Sequence, residues 1–148
     1  MADWSTQQYW EDVREGDLIP AVDFPVTVHR LIVHVAANRD FSGIHHNPAV
    51  AQGQGAPDMY ANNVFAQGMW ERTVREFIGL AGVIRRIGPL RMRFFTTPGQ
   101  TVTVRGEVTR KWRDGADHFV ELAMASTVGQ GDCVVGRVTV TLPVRSHM

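Results

Sequence analysis

Apolar and polar positions along this chain fall into three regimes, and each predicts a different kind of structure. Residues 1–25 show no sustained period. Glu15-Gly16-Asp17 reads as a turn and Ile19-Pro20 as the end of a short extended piece, while Trp4, Tyr9 and Trp10 are aromatics suited to stapling the segment onto a sheet. Residues 24–28 fit a strand, with Pro25 keeping it near an edge. Thr27 also fits the N-cap of a short helix running to about residue 37, because Leu31, Ile32 and Val35 share one helical face. The β-branched content of the same stretch pulls toward strand.

The second regime is helical. Across residues 59–78, Ala61, Val64, Phe65, Gly68, Met69, Val74, Phe77 and Ile78 recur at three- and four-residue steps, with Glu71, Arg72, Arg75 and Glu76 on the opposite side. Asp58 is placed to cap the start and Gly79 the end, and Gly68 invites a close neighbour. Between the two helices lie a polar loop at 38–48 and a glycine-rich run at 49–57, which reads as a mobile connector. That run has neither GxxxxGK[ST] nor GxGxxG spacing, so it is no phosphate loop.

The third regime begins after Gly82, where the period drops to two. Strands are predicted over 83–96, 101–113, 118–128 and 133–144, separated by Pro/Gly and Asp/Gly turn chemistry. Gly88-Pro89 marks a bulge or bend in the first of them. The result is one α+β domain over residues 1–148, with a four-strand antiparallel meander covering one long helix. A curved sheet wrapped around a single central helix is the hot-dog architecture, and its long edge predicts a dimer with a continuous sheet.

Composition narrows the function classes. With 44% hydrophobic residues in 148, the chain can bury a real core. Fifteen basic residues against fifteen acidic ones leave no net field to attract nucleic acid or an anionic membrane. The local cluster Arg85, Arg86, Arg91 and Arg93, continued by Arg105, Arg110, Lys111 and Arg113, reads either as outward strand positions or as a rim for phosphates. Cys133 is the single cysteine and reads as core packing, which points to a cytoplasmic protein without disulfides. No secretory leader or membrane-spanning run is evident.

The candidate chemistry lies in the loop. Asp40 and His45, five residues apart, can turn toward one point in a tight bend, where a carboxylate and an imidazole sharing a water can activate it and return a proton. The same residues also fit a turn cap and a packed histidine. His46 reads as a turn or surface residue, His29 and His34 as core or surface, and His118 as solvent-facing. A metal site is not expected, since no HExxH pattern or cysteine partners complete a shell around Asp40, His45 and His46. Asn62 and Asn63 open the long helix, where backbone N–H groups either hold a developing oxyanion or are simply capped.

The frame Asp40-Phe41-Ser42-Gly43-Ile44-His45 resembles the D-x-N-P-[LI]-H loop of the MaoC-like hydratases, the (R)-specific enoyl-CoA hydratases of the hot-dog superfamily. Asp and His coincide; Ser42-Gly43 replaces the internal Asn-Pro, and Asn47-Pro48 follows the histidine instead. Arg39-Asp40-Phe41, His45-His46, 49–53, Asp58, Asn62, Gly68, Arg72 and Gly79 look more specifically like the small subunits of actinobacterial hydratases acting on steroid side-chain enoyl-CoA thioesters.

That resemblance implies Asp40 and His45 as catalytic pair and the backbone N–H of Asn62 as oxyanion donor. It implies hydration of a trans-2-enoyl-CoA to a (3R)-hydroxyacyl-CoA, with no cofactor beyond the coenzyme A of the substrate. A homodimer or a heteromer with a second MaoC-like subunit is the implied assembly. Met59, Tyr60, Phe65 and Met69 are candidates for lining an acyl pocket, or are ordinary core. The rival readings are a hot-dog thioesterase and a partner subunit that contributes only sheet and pocket wall.

Overall fold

A computed structural model describes residues 6–145; Trp4 and the terminal Ser146-His147-Met148 lie outside the described residues. Five strands and three α-helices follow in the order β1 (Leu18–Pro25), α1 (Val28–Asn38), α2 (Pro48–Gly53), α3 (Asn63–Ile78), β2 (Val83–Met92), β3 (Thr101–Asp114), β4 (Asp117–Val128) and β5 (Gly131–Thr141). All neighbouring strands are antiparallel, in the spatial order β1-β3-β4-β5-β2.

The predicted four-strand meander is therefore corrected at both ends. β3, β4 and β5 are the hairpins that the turn chemistry implied, but β2 pairs with β5 on the far edge, and a fifth strand, β1, pairs with β3. The lead-in is less irregular than expected: one strand spans Leu18–Pro25, and Pro20 falls where its register slips between Ile19 and Val22. Thr27 caps α1 as expected, its hydroxyl accepting from the N–H of Arg30 at 3.1 Å. Gly88-Pro89 sits at a register shift in β2.

The core lies between the sheet and α3. Inward positions of the strands supply Val102, Val104, Val108, Val120, Leu122, Val138 and Val140, all at most 1% exposed, and α3 supplies Trp70, Val74 and Ile78, all fully buried. Burying a Trp requires a partner for its indole N–H. Trp70 Nε1 finds Ser126 Oγ at 2.8 Å, which ties helix to sheet inside the core. Cys133 packs here as expected. The lead-in is held by Trp10, whose Nε1 donates to the carbonyl of Phe119 at 3.2 Å and whose ring lies under the Lys111 ammonium. His118 is half-buried with its ring edge-on to Trp10, rather than solvent-facing.

Two expectations about α3 give way. The helix starts at Asn63, not at Met59, and Asn62 rather than Asp58 is its cap. The reason is tertiary: the N–H of Tyr60 bonds the carbonyl of Ile44 at 3.2 Å and that of Ala61 bonds the carbonyl of Thr96 at 2.9 Å, which holds this stretch out of the helix. Gly68 meets nothing within 4 Å of where a Cβ would stand, so nothing in the described chain approaches it. Gly79 does end the helix, at φ 71°.

Candidate active site

Three local devices deliver the polar loop to one place. α1 ends at Arg39 in the left-handed region (φ 58°, ψ 28°), which turns the chain so that the N–H of Asp40 reaches the carbonyl of Val35 at 3.2 Å and the side-chain oxygen of Asn38 at 3.0 Å. A 3-10 turn over Gly43–His45 then brings His45 back toward Asp40. Beyond it, the expected mobile connector is an ordered short helix. Asn47 caps α2 through bonds from the N–H groups of Ala49 and Val50, with Pro48 at the first helical position. Gly43 packs against it so closely that a Cβ would stand 2.9 Å from a methyl of Val50. The displaced Asn-Pro thus braces the loop from outside through α2.

Asp40 Oδ2 and His45 Nε2 end 3.4 Å apart, with the imidazole 9% and the carboxylate 37% exposed. His45 Nδ1 lies 2.7 Å from the carbonyl of Tyr60. A carbonyl only accepts, so Nδ1 carries the proton and the lone pair of a neutral ring is on Nε2, facing Asp40. Asn62 faces two ways. Its Oδ1 accepts from the N–H of Phe65 at 2.9 Å as the cap of α3, and its Nδ2 donates to Asp40 Oδ2 at 2.7 Å. That bond holds the Asp40 carboxyl below its usual value, with the N–H of Ser42 and the imidazoles of His45 and His34 acting in the same direction against partial burial.

These groups open on a cavity of about 410 Å³ lined by Asp40, Ile44, His45, Tyr60, Ala61, Asn62, Asn63, Val64 and Met92. Among the described residues, nothing accepts from the backbone N–H of Asn62, Asn63 or Val64. A smaller cavity of about 240 Å³ adjoins it through Tyr60 and Met92 and is walled by Arg93, Phe94 and Phe95. A larger groove of about 510 Å³ runs over β1, β3, β4 and β5, but the Asp–His pair does not reach it.

The sequence-predicted site is therefore brought together in part. Asp40, His45, Asn62 and Tyr60 meet at the cavity. Met59 and Met69 do not line it; at 3% and 5% exposure they belong to the core, and Phe65 packs on that core with its ring against His34. The sequence reading missed Met92 and Phe95 as walls, since both fall inside the strand predicted over 83–96, whereas β2 ends at Met92. It also missed His34, which approaches Asn62 Oδ1 at 3.2 Å and Asn38 Nδ2 at 2.9 Å. The four-residue spacing of His34 and Asn38 on one helical face was the available signal. His46, as expected, is an exposed turn residue. Among the described residues, no three His, Cys, Asp or Glu side chains gather as metal ligands would.

No protein-family model matches the chain. A 73-residue stretch, 49% of the chain, is 37% identical to the 3-oxo-4,17-pregnadiene-20-carboxyl-CoA hydratase beta subunit of Mycobacterium tuberculosis (strain ATCC 25618 / H37Rv). The match spans about half of that relative, 56% of its length. Among solved structures, a chain of the ChsH1-ChsH2 complex from Mycobacterium tuberculosis superposes with a TM-score of 0.80 at 27% identity, covering 87% of this chain and 98% of that one. The MaoC-like dehydratase from Rhodospirillum rubrum superposes with a TM-score of 0.80 at 16% identity, covering 94% and 99%.

Proposed function

This chain belongs to the MaoC-like hot-dog family, and from that premise we propose that it hydrates a trans-2-enoyl-CoA to a (3R)-hydroxyacyl-CoA, with Asp40 and His45 as the catalytic pair. The observation that carries this reading is the convergence of Asp40 Oδ2 and His45 Nε2, 3.4 Å apart, on the edge of a cavity that opens at the start of α3.

A water seated there donates one O–H to Asp40 and the other to His45 Nε2, which leaves an oxygen lone pair for the β-carbon of the substrate. The thioester oxygen lies on the backbone N–H of Asn62, assisted by the positive end of the helix. As the C–O bond forms, the π electrons move through the α-carbon onto that oxygen. The water proton passes to the pair and a proton returns to the α-carbon on the same face, so the addition is syn and one water is consumed. Asp40 is held ionised by Asn62; the lone pair of His45 Nε2 takes the water proton, and the Asp40 carboxylate beside it stabilises the imidazolium. The chemistry needs no metal or redox cofactor, the coenzyme A being part of the substrate.

The acyl portion extends past Tyr60 toward Met92 and Phe95, and Arg93 stands at the same mouth. A second MaoC-like subunit is the proposed partner, homologous or identical. Support comes from the similarity to a protein named a beta subunit and to a chain solved as a two-component complex. The outer edge of β2 pairs with no strand among the described residues, and Phe94 and Phe95, which wall the adjoining cavity, stand 41% and 44% exposed. A bulky steroid side-chain thioester is the proposed substrate class, on the strength of that first relative.

The test is loss of the conjugated enoyl absorbance with crotonyl-CoA and with bulkier enoyl-CoAs, alone and after co-expression with a second MaoC-like chain. Asp40→Asn and His45→Ala should each lose about 10²- to 10⁴-fold in kcat per folded molecule, the range for a general acid–base group. Activity indifferent to both variants points to the non-catalytic partner reading. Release of free thiol from a saturated acyl-CoA points to a thioesterase.

A further inference from the structure

We propose that His34 is a positioning residue for the Asp40 carboxylate, wedged between the two side-chain amides that hold Asp40. This rests on the hydration reading above and deepens it.

Asp40 is gripped at two points. Asn38 takes its backbone N–H at 3.0 Å, and Asn62 gives a hydrogen to its Oδ2 at 2.7 Å. The orientation of each amide is fixed by a donor that cannot be reversed. The N–H of Asp40 requires Asn38 Oδ1 on its side, which leaves Asn38 Nδ2 to face His34 Nε2 at 2.9 Å. The N–H of Phe65 requires Asn62 Oδ1 on its side, which leaves Asn62 Nδ2 for Asp40. One imidazole nitrogen therefore meets an amide donor and an amide acceptor at once, the acceptor being Asn62 Oδ1 at 3.2 Å.

Nε2 satisfies one of these at a time. With its proton on Nδ1, His34 accepts from Asn38 and secures the grip on the backbone of Asp40. With a proton on Nε2, it donates to Asn62 Oδ1 instead, which polarises that amide and strengthens the grip on the carboxylate. In the second state the ring bonds across from α1 to the cap of α3, so that the two helix ends are tied together around Asp40. Its edge-on packing on Phe65, ring centroids 4.9 Å apart, keeps it in that wedge. The groups that face Asp40 are His45 and Ser42 from its own loop, His34 from α1 and Asn62 from α3.

The experiment compares His34→Phe, which keeps the packing and removes the nitrogens, with His34→Gln, which restores an amide. A misplacement of about 1 Å costs on the order of 10²-fold, so His34→Phe should lower kcat by about tenfold or more with KM within about twofold. His34→Gln should recover part of that loss. In an Asn62→Ala background His34→Phe should have a smaller further effect, because only the Asn38 partner remains to be lost.

Independently of activity, NMR titration of the Asp40 carboxyl should show its midpoint rising in His34→Phe. An Asp40 midpoint unmoved by His34→Phe, or an undiminished kcat loss in the Asn62→Ala background, overturns the proposal. Should the parent hydrate no enoyl-CoA, the hydration reading fails while the titration still decides the role of His34. If His34→Phe does not fold, the titration of His34→Gln decides, and a midpoint equal to the parent's in a variant that keeps kcat reduced tenfold counts against it.

Discussion

The two ends of α3 follow opposite rules. Toward its C-terminus the helix is dry: Trp70, Thr73, Val74 and Ile78 are fully buried, and their polar atoms are closed off by Trp70 Nε1 to Ser126 Oγ and Thr73 Oγ1 to the carbonyl of Met69. At its N-terminus, Asn63 and Val64 are exposed, Asn62 divides its amide between cap and carboxylate, and three backbone N–H groups have no acceptor among the described residues. One end completes its hydrogen bonds internally and gains stability. The other keeps donors open toward a cavity, and that incompleteness is what makes it usable for chemistry.

The sharpest way to break this contrast is Trp70→Phe. Removing the indole strands the Ser126 hydroxyl in the core and leaves a small void, which costs about 1–3 kcal/mol for the unpaired group alone, with the cavity adding to it. Chemical denaturation should show that loss, while kcat per folded molecule stays near the parent's. Adding Ser126→Ala should recover part of the stability, since two absent partners cost less than one stranded one. A fall in kcat larger than the unfolded fraction explains would show that the dry end also sets the site geometry.

Asn62→Ala strikes the boundary between the two ends and should register in both. Loss of an N-cap costs about 0.5–2 kcal/mol. Loss of the bond to Asp40 Oδ2 removes the largest cause of its lowered pKa, so the carboxyl should titrate closer to its ordinary 3.8. The sign follows from linkage. A carboxyl lowered on folding adds stability that is present above its unfolded pKa and is lost as pH falls through the folded one. The parent should therefore keep the ionised, active carboxylate to lower pH than Asn62→Ala does, read by carboxyl NMR or by the acid limb of activity. Coincident acid limbs would leave Asn62 as a cap only.

The same contrast decides what was legible in the sequence. Period-two strands and the helical face ending at Ile78 follow from side-chain partition, which is local in the chain, so β2 to β5, the body of α3 and most of the core were readable, while β1 and α2 were not. Strand order was not, because nothing in β2 itself distinguishes β5 from β3 as partner. The start of α3 was misplaced because Asp58 is a good local cap, while the competing bonds of Tyr60 and Ala61 come from Ile44 and Thr96. In the site, Asp40 and His45 were visible as residue types in a bend. The cap-and-carboxylate role of Asn62 and the wedge of His34 were not, because each depends on two elements distant in sequence. Met69 fitted a pocket as well as a core by pattern alone; the packing of α3 on the sheet put it in the core.

The smallest expected effect tests whether backbone strain belongs to the usable end. Arg39 is the only described non-glycine residue with positive φ, at 58°, and it directly precedes Asp40. An L-residue there costs roughly 1–2 kcal/mol, which glycine avoids, though glycine returns part of that as chain entropy in the unfolded state. Arg39→Gly should therefore stabilise by about 0.5–1 kcal/mol, a rise in Tm of roughly 1–4 °C at this chain length. Asp40 is already held by Val35, Asn38 and Asn62, so kcat should stay within about twofold of the parent's. A stabilised variant that loses tenfold or more in kcat would mean that the strained turn aims the carboxylate, and that the N-terminal end of the site is set by the backbone as well as by its amides.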